Sequence, residues 1–199
     1  MSENENKVKF DLRNVHYAPL TYNAEGKKWE YQTPIPFPGA VSLSLNARGE
    51  LTPFYADGIV YWCGNPKTGF DGDLEVARVL ESFEKDCLGV TADSKGLLYE
   101  TSGDKVNPFA LLFEFDGDAK AQRHCLYHCH ASRKEESSQT KEDKVTPITD
   151  KLTLLSTPSP YFSAPNGMPL IKGKTGSSAD ETLYNSWYDK VPMPTETAG

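Results

Sequence analysis

The sequence predicts a mainly β protein with one short helix and extended arms at both ends. Apolar and polar residues alternate with a period of two in several segments, most regularly over 109–116, which is the pattern of half-buried strands. Asp-Gly pairs at 57–58 and 116–117 separate such segments, as hairpin turns do. Frequent aromatic residues and 14 prolines favour strands and turns over long helices.

The first half of the chain contains five predicted strands, which alternate with turn-rich segments. They are residues 8–20, 40–45, 51–55, 59–63 and 73–79. Residues 21–28 predict a loop or hairpin tip, and 33–39 are extended because their three prolines exclude a helix. A turn at 46–49 is expected to end the second of these strands.

One helix is predicted over residues 81–88. Phe83, Cys87 and Leu88 have helical spacing there, and Gly89 provides a stop. A single helix over 73–88 is the competing interpretation, but the alternation before residue 79 favours a strand followed by a short helix.

The second half predicts a short strand at 97–100, a hairpin over 109–133 and a strand at 151–157. Residues 134–147 are charged and rich in serine, and they predict a solvated loop.

The predicted organisation is a flexible arm over 1–7, one β domain over 8–157 and an extended arm over 158–199. The last arm is rich in Pro, Gly and Ser, with helical turns expected only at 181–188. Because such a segment buries little by itself, we expect it to be disordered or to dock on a neighbouring subunit.

The second arm of the 109–133 hairpin contains a cluster of potential zinc ligands. The cluster consists of His124, Cys125, His128, Cys129 and His130. In a regular strand, however, Cys125, Tyr127, Cys129 and Ala131 share one face and the histidines share the other. His124 and His128 are then about 13 Å apart. Only His128 and His130 could chelate together, so the sequence predicts no metal site, and it identifies no catalytic or cofactor-binding residue.

Composition excludes several classes of protein. The net charge of −7 argues against a surface built to grip nucleic acid. Four cysteines without a CxxC motif do not form a disulfide framework, and we expect reduced thiols. No apolar run is long enough to span a bilayer, so no membrane partner is expected.

Five ordered blocks of sequence resemble the major tail protein, or tail tube protein, of siphovirus-type long-tailed phages and prophages. They are NVHYAP at 14–19, PGAVSLSLN at 38–46, FYADGIVYW at 54–62, GDLEVA at 72–77 and FALLFEFDGDAKAQRH at 109–124. NSWYDKV at 185–191 is consistent with the same family. The similarity covers residues 7–157, with weaker support towards the end of the chain.

The resemblance implies a β-sandwich with a flanking helix, and a structural role without catalysis, cofactor or metal. Subunits of this family join their sheets into a hexameric ring with a continuous inner β-barrel. Rings stack into the tail tube, through which the genome passes into the host. The implied partners are other copies of the chain and the tape measure, tail terminator and distal tail proteins. Double-stranded DNA passes without specific binding, and the expected locations are the virion tail and, during assembly, the host cytoplasm.

The resemblance leaves the role of two groups of residues open. Asp73 and Glu75, or Glu114 and Asp116, are candidates for lining an acidic lumen, although charged residues more often form a solvated outer face. His124, His128 and His130 depart from the ordinary residue mix of the family. If they lie at a subunit contact, assembly should weaken near pH 6, where histidine gains charge.

Two functions from other classes are weighed against the structural role. A metal-dependent enzyme would use His128, His130 and a carboxylate, but the chain lacks local motifs such as HExxH or GxSxG. A monomeric β-sandwich module that binds carbohydrate or a host surface would use exposed aromatics, for which Trp62, Trp187 and Tyr188 are the candidates.

Overall fold

The computed structural model describes residues 6–138, 140 and 147–195. Within them the protein is mainly β, with one large antiparallel sheet and two short helices, and the arrangement is consistent with a β-sandwich. The elements in chain order are β1 (Lys9–Asn23), β2 (Lys28–Tyr31), β3 (Ile35–Pro36), β4 (Ala40–Arg48), β5 (Thr52–Ala56), β6 (Ile59–Gly64), β7 (Gly69–Val76), α1 (Glu81–Cys87), β8 (Thr91–Ala92), β9 (Leu98–Tyr99), β10 (Phe109–Gly117), β11 (Gln122–Ala131), β12 (Asp150–Ser156), β13 (Lys172–Lys174) and α2 (Glu181–Asn185).

The large sheet has the strand order β2-β1-β10-β11-β12-β7-β4, with β3 added beside β1 and β13 beside β11. Its two halves curve towards each other, since β4 contacts β1. The inward faces enclose one apolar core, to which β1, β7, β10, β11 and β12 all contribute. Helix α1 packs on this core through Phe83, whose ring meets Tyr17 and Phe109 edge-on at 5.0 and 5.2 Å between centroids.

The strand-then-helix prediction for 73–88 is confirmed, and the single helix is excluded by β7 and α1. Strand β4 continues to Arg48, so the prediction that a turn begins at residue 46 is wrong. β7 begins at Gly69, four residues before the predicted strand, because it pairs with β4 from Gly69 and with β12 from Phe70. The second helix, α2, lies within the segment where helical turns were expected.

The β10–β11 hairpin differs from its prediction in the position of the turn. Asp116 and Gly117 still belong to β10, and the turn spans residues 118–121. Asn6 holds this turn: its side-chain oxygen accepts hydrogen bonds from the backbone of Ala119 and Lys120 at 2.9 Å each. The end of the predicted flexible arm is therefore attached here, while residues 1–5 of that arm lie outside the described residues.

The outer face of the same sheet carries a second apolar cluster, which the C-terminal segment covers. Leu170, Trp187 and Val191 are buried there against residues of β10 and β11 such as Leu112 and Cys125. The segment 158–195 thus packs on its own sheet, where the sequence led us to expect a disordered or neighbour-bound arm. Much of the loop predicted over 134–147 lies outside the described residues, at positions 139 and 141–146.

Candidate functional site

A β-bulge in β11 redistributes the histidines and cysteines of the hairpin. Phe109 pairs with Cys129, whereas Leu111 pairs with Leu126, so β11 contains one extra residue opposite Ala110. A bulge of this kind reverses the facing of every later side chain. Cys129 and Ala131 consequently pack in the inner core, while Cys125 and Tyr127 lie in the outer cluster. The prediction that these four residues share one face of the strand is therefore wrong, because the facing changes after Tyr127.

His124 is buried among aromatic side chains. It is 5% exposed, its ring stacks on that of Phe113 at 5.1 Å, and it meets the Phe115 ring edge-on at 5.2 Å. Neither ring nitrogen has a hydrogen-bond partner among the described residues. Burial, followed by the positive charges of nearby lysines, lowers the pKa of His124 to about 3, so the ring is neutral at physiological pH.

His128 and His130 form a pair on the outer side of β11. Their ring centroids are 5.0 Å apart, and Nδ1 of His128 is 2.9 Å from the Thr157 hydroxyl. Burial, and then the neighbouring His130, lowers the pKa of His128 to about 4. Within the described ranges no three His, Cys, Asp or Glu side chains converge as a metal site would require.

The four cysteines are all free. Cys87, Cys125 and Cys129 are buried, and desolvation raises the pKa of each thiol. Since the thiolate is the reactive species, these three side chains behave as small core residues.

Two of the candidate lumen carboxylates, Asp73 and Glu75, lie on the outward face of β7. Asp73 is 2.9 Å from the Lys151 ammonium, and this contact lowers the pKa of its carboxyl. Glu75 accepts hydrogen bonds from the hydroxyls of Thr149 and Ser42, which likewise lower its pKa. Both side chains therefore stay charged while partly exposed, as a solvated or channel-lining surface requires.

In the other candidate pair, Glu114 has a structural role, whereas Asp116 is partly exposed and lies 3.2 Å from Arg13. Glu114 is 3.1 Å from Arg123, and the two side chains are only 8% and 16% exposed. Asn14 donates a further hydrogen bond to Glu114 at 2.7 Å, and Tyr188 donates another at 3.3 Å. Because this carboxylate is enclosed by its own chain, Glu114 cannot line a channel.

A cluster of exposed apolar side chains lies on the hairpin of β5 and β6, residues 52–64, which we call the apolar hairpin. It forms a separate two-stranded sheet, and its turn residues Asp57 and Gly58 both have positive φ, 53° and 76°, as a type I′ turn requires. Six large apolar side chains on it are between 52% and 70% exposed: Phe54, Tyr55, Ile59, Val60, Tyr61 and Trp62.

Neither face of the apolar hairpin is polar. Adjacent residues on each strand point to opposite faces, and Phe54-Tyr55 and residues 59–62 are apolar at consecutive positions. Isolated two-stranded hairpins are only marginally stable in water, and exposed apolar patches of this kind mark contact surfaces. The sequence predicted the hairpin itself. The absence of alternating polar residues in the sequence of this hairpin indicates that both of its faces are contact surfaces.

No protein-family model matches the chain, and no curated protein sequence matches it. Neither described helix has the length and apolar character that crossing a membrane demands. The fold and surface thus define a class only: a mainly β protein that presents a projecting apolar hairpin.

Proposed function

We propose that the chain is a structural subunit of a phage tail tube, which assembles into hexameric rings that stack into a conduit for the genome. The observation that carries this proposal is the apolar hairpin. Burying side chains such as Phe54, Ile59 and Val60 contributes about 1.5–3 kcal/mol each. In a ring or stack, each subunit can bury these side chains against a neighbouring copy of the chain.

The ends of the large sheet also support assembly. β2 and β4 stand at the two ends of the strand order, and β4 is nine residues long with Val41 exposed on it. Long exposed edge strands readily pair with another chain. Pairing between neighbouring subunits would remove these edges, as ring closure does in other β assemblies.

The carbohydrate-binding module has less support. Of its three candidate aromatics, Trp187 is 3% exposed, and the Tyr188 ring stacks on His16 at 4.4 Å. Only Trp62 is free to stack on a sugar, and it belongs to the apolar hairpin.

Sedimentation velocity over a concentration series tests the proposal. The wild-type chain should form hexamers and larger species as its concentration rises. A hairpin variant, Tyr55→Thr/Tyr61→Thr/Trp62→Thr, should remain monomeric with an unchanged circular dichroism spectrum, because threonine retains strand propensity without the apolar surface.

The matched control is Leu97→Thr/Met168→Thr, which removes apolar side chains that are 63% and 67% exposed elsewhere. It should assemble as the wild type does. A wild-type chain that stays monomeric at every concentration would refute the proposal.

A further inference from the structure

A cavity of about 790 Å³ is lined by several positively charged side chains, although the protein as a whole is acidic. It lies between the start of β1, the β10–β11 turn, β13 and α2. Five lysines from three of these segments line it: Lys7, Lys9, Lys120, Lys172 and Lys174. Among the described residues, Asp116 is the one carboxylate of the lining, and it is 3.2 Å from Arg13. We call this cavity the lysine pocket.

Strand pairing brings three of these lysines together. β13 pairs with β11 so that Lys174 lies opposite His124 and Lys172 opposite Leu126. Residues two apart on a strand share a face, so Lys172 and Lys174 project side by side. Lys9 pairs opposite Gly117 and places its ammonium 5.0 Å from the centre of the Phe115 ring.

The resulting arrangement is electrostatically unfavourable when the pocket is empty. Burial, and then the charges of Lys174 and Lys9, lowers the pKa of Lys172. Among the described residues, no carboxylate lies within ion-pairing distance of these three ammonium groups. Like charges held together in a partly desolvated cleft raise the free energy of the native state unless an anion joins them.

His124 provides a second, independent observation at the same place. It lines the pocket and is only 5% exposed, and neither of its ring nitrogens has a hydrogen-bond partner within the described part of the chain. Buried polar atoms without partners are rare in proteins, and a bound water or ion is one of the explanations for them.

We propose that the lysine pocket binds a small phosphate-bearing ligand, with Lys9, Lys172 and Lys174 contacting its phosphate oxygens and His124 at the base of the site. Lysine ammonium groups are common point-charge partners of phosphate. The cavity volume falls within the range of small-molecule sites. Lys120, whose ammonium lies 3.8 Å from the centre of the Tyr184 ring, is placed at the rim. This inference is independent of the proposed tail-tube function.

Calorimetric titration of the full chain with inorganic pyrophosphate at neutral pH tests it, with sodium chloride at matched ionic strength as the reference. Pyrophosphate should bind saturably and raise the melting temperature, and it should shift the imidazole resonances of His124. The variant Lys172→Gln/Lys174→Gln should bind about tenfold or more weakly. It should also melt no lower than the wild type without pyrophosphate, because a repulsion has been removed.

The matched control is Lys67→Gln/Lys95→Gln, which removes the same charge from two exposed lysines outside the pocket. It should bind pyrophosphate as the wild type does. Equal weakening by this control would mean generic charge attraction and would overturn the proposal. So would the absence of saturable binding, or binding of a short DNA duplex without binding of pyrophosphate.

Discussion

His124 combines two properties that rarely occur together: its ring is buried, and neither of its nitrogens has a hydrogen-bond partner among the residues that the structure describes. Stacking on Phe113 and the edge-on contact with Phe115 compensate only for the apolar part of the ring. Protonation of the ring therefore destabilises the native state. His124 is for this reason expected to influence the stability of the fold at acid pH. The hypothesis of a subunit contact that is titrated near pH 6 does not suit His124, since its pKa is lowered to about 3 inside its own chain.

We predict that His124→Leu reduces the acid sensitivity of the fold. The pKa of histidine is about 6.5 when the chain is unfolded and about 3 in the native state. Between these values the unfolded state binds the proton and the native state does not, so stability falls as the pH falls through this window. Urea unfolding should show the variant losing about 2 kcal/mol less than the wild type between pH 6.5 and 4.5.

A graded control is His130→Leu, at a half-buried ring whose pKa is lowered by burial alone. Its effect on the pH dependence should have the same sign and be smaller. Identical pH dependence in the wild type and His124→Leu would contradict this account of His124.

At the scale of elements, local chemistry explains which predictions succeeded. The apolar hairpin was predictable because Asp57-Gly58 specifies its turn within two residues. The bulge between Tyr127 and His128 was not, because it depends on how β10 and β11 align and has no signature in either strand. The same holds for the β10–β11 turn, whose position is held by Asn6 from more than a hundred residues away.

The docking of segment 158–195 was also hidden from sequence reasoning. Its prolines and glycines suppress any period, and its few apolar anchors are far apart. Trp187 is buried only because the outer face of the sheet offers Ala110, Leu112 and Cys125 beneath it, and its indole nitrogen donates to the His124 carbonyl at 3.4 Å. Periodicity reports on faces within a segment, whereas this contact depends on a distant surface.

Trp187→Ala should therefore destabilise the protein by about 3–5 kcal/mol, the cost of removing a buried aromatic side chain. Trp62→Ala is the matched control, because Trp62 is 60% exposed, and it should change the unfolding free energy by less than about 1 kcal/mol. Urea denaturation monitored by circular dichroism measures both. Equal, small effects would mean that the C-terminal segment is not held on the sheet in solution.

At the scale of the whole molecule, three features combine: one large curved sheet with β2 and β4 at its ends, a separate apolar hairpin with exposed side chains, and a net charge of −7. The first two favour association of identical chains. The third favours a surface along which DNA slides without adhering. Asp73 and Glu75 remain candidates for such a surface. Glu114 is excluded because its side chain is buried. These features support the proposal that the chain assembles with other copies of itself.

Negative-stain electron microscopy of the concentrated wild-type protein tests the proposed tail-tube function most directly. The account predicts six-fold rings or hollow tubes for the wild type and for Leu97→Thr/Met168→Thr, and dispersed particles for the hairpin variant. Dispersed single subunits of the wild type at every concentration, in a sample shown to be folded, would contradict it.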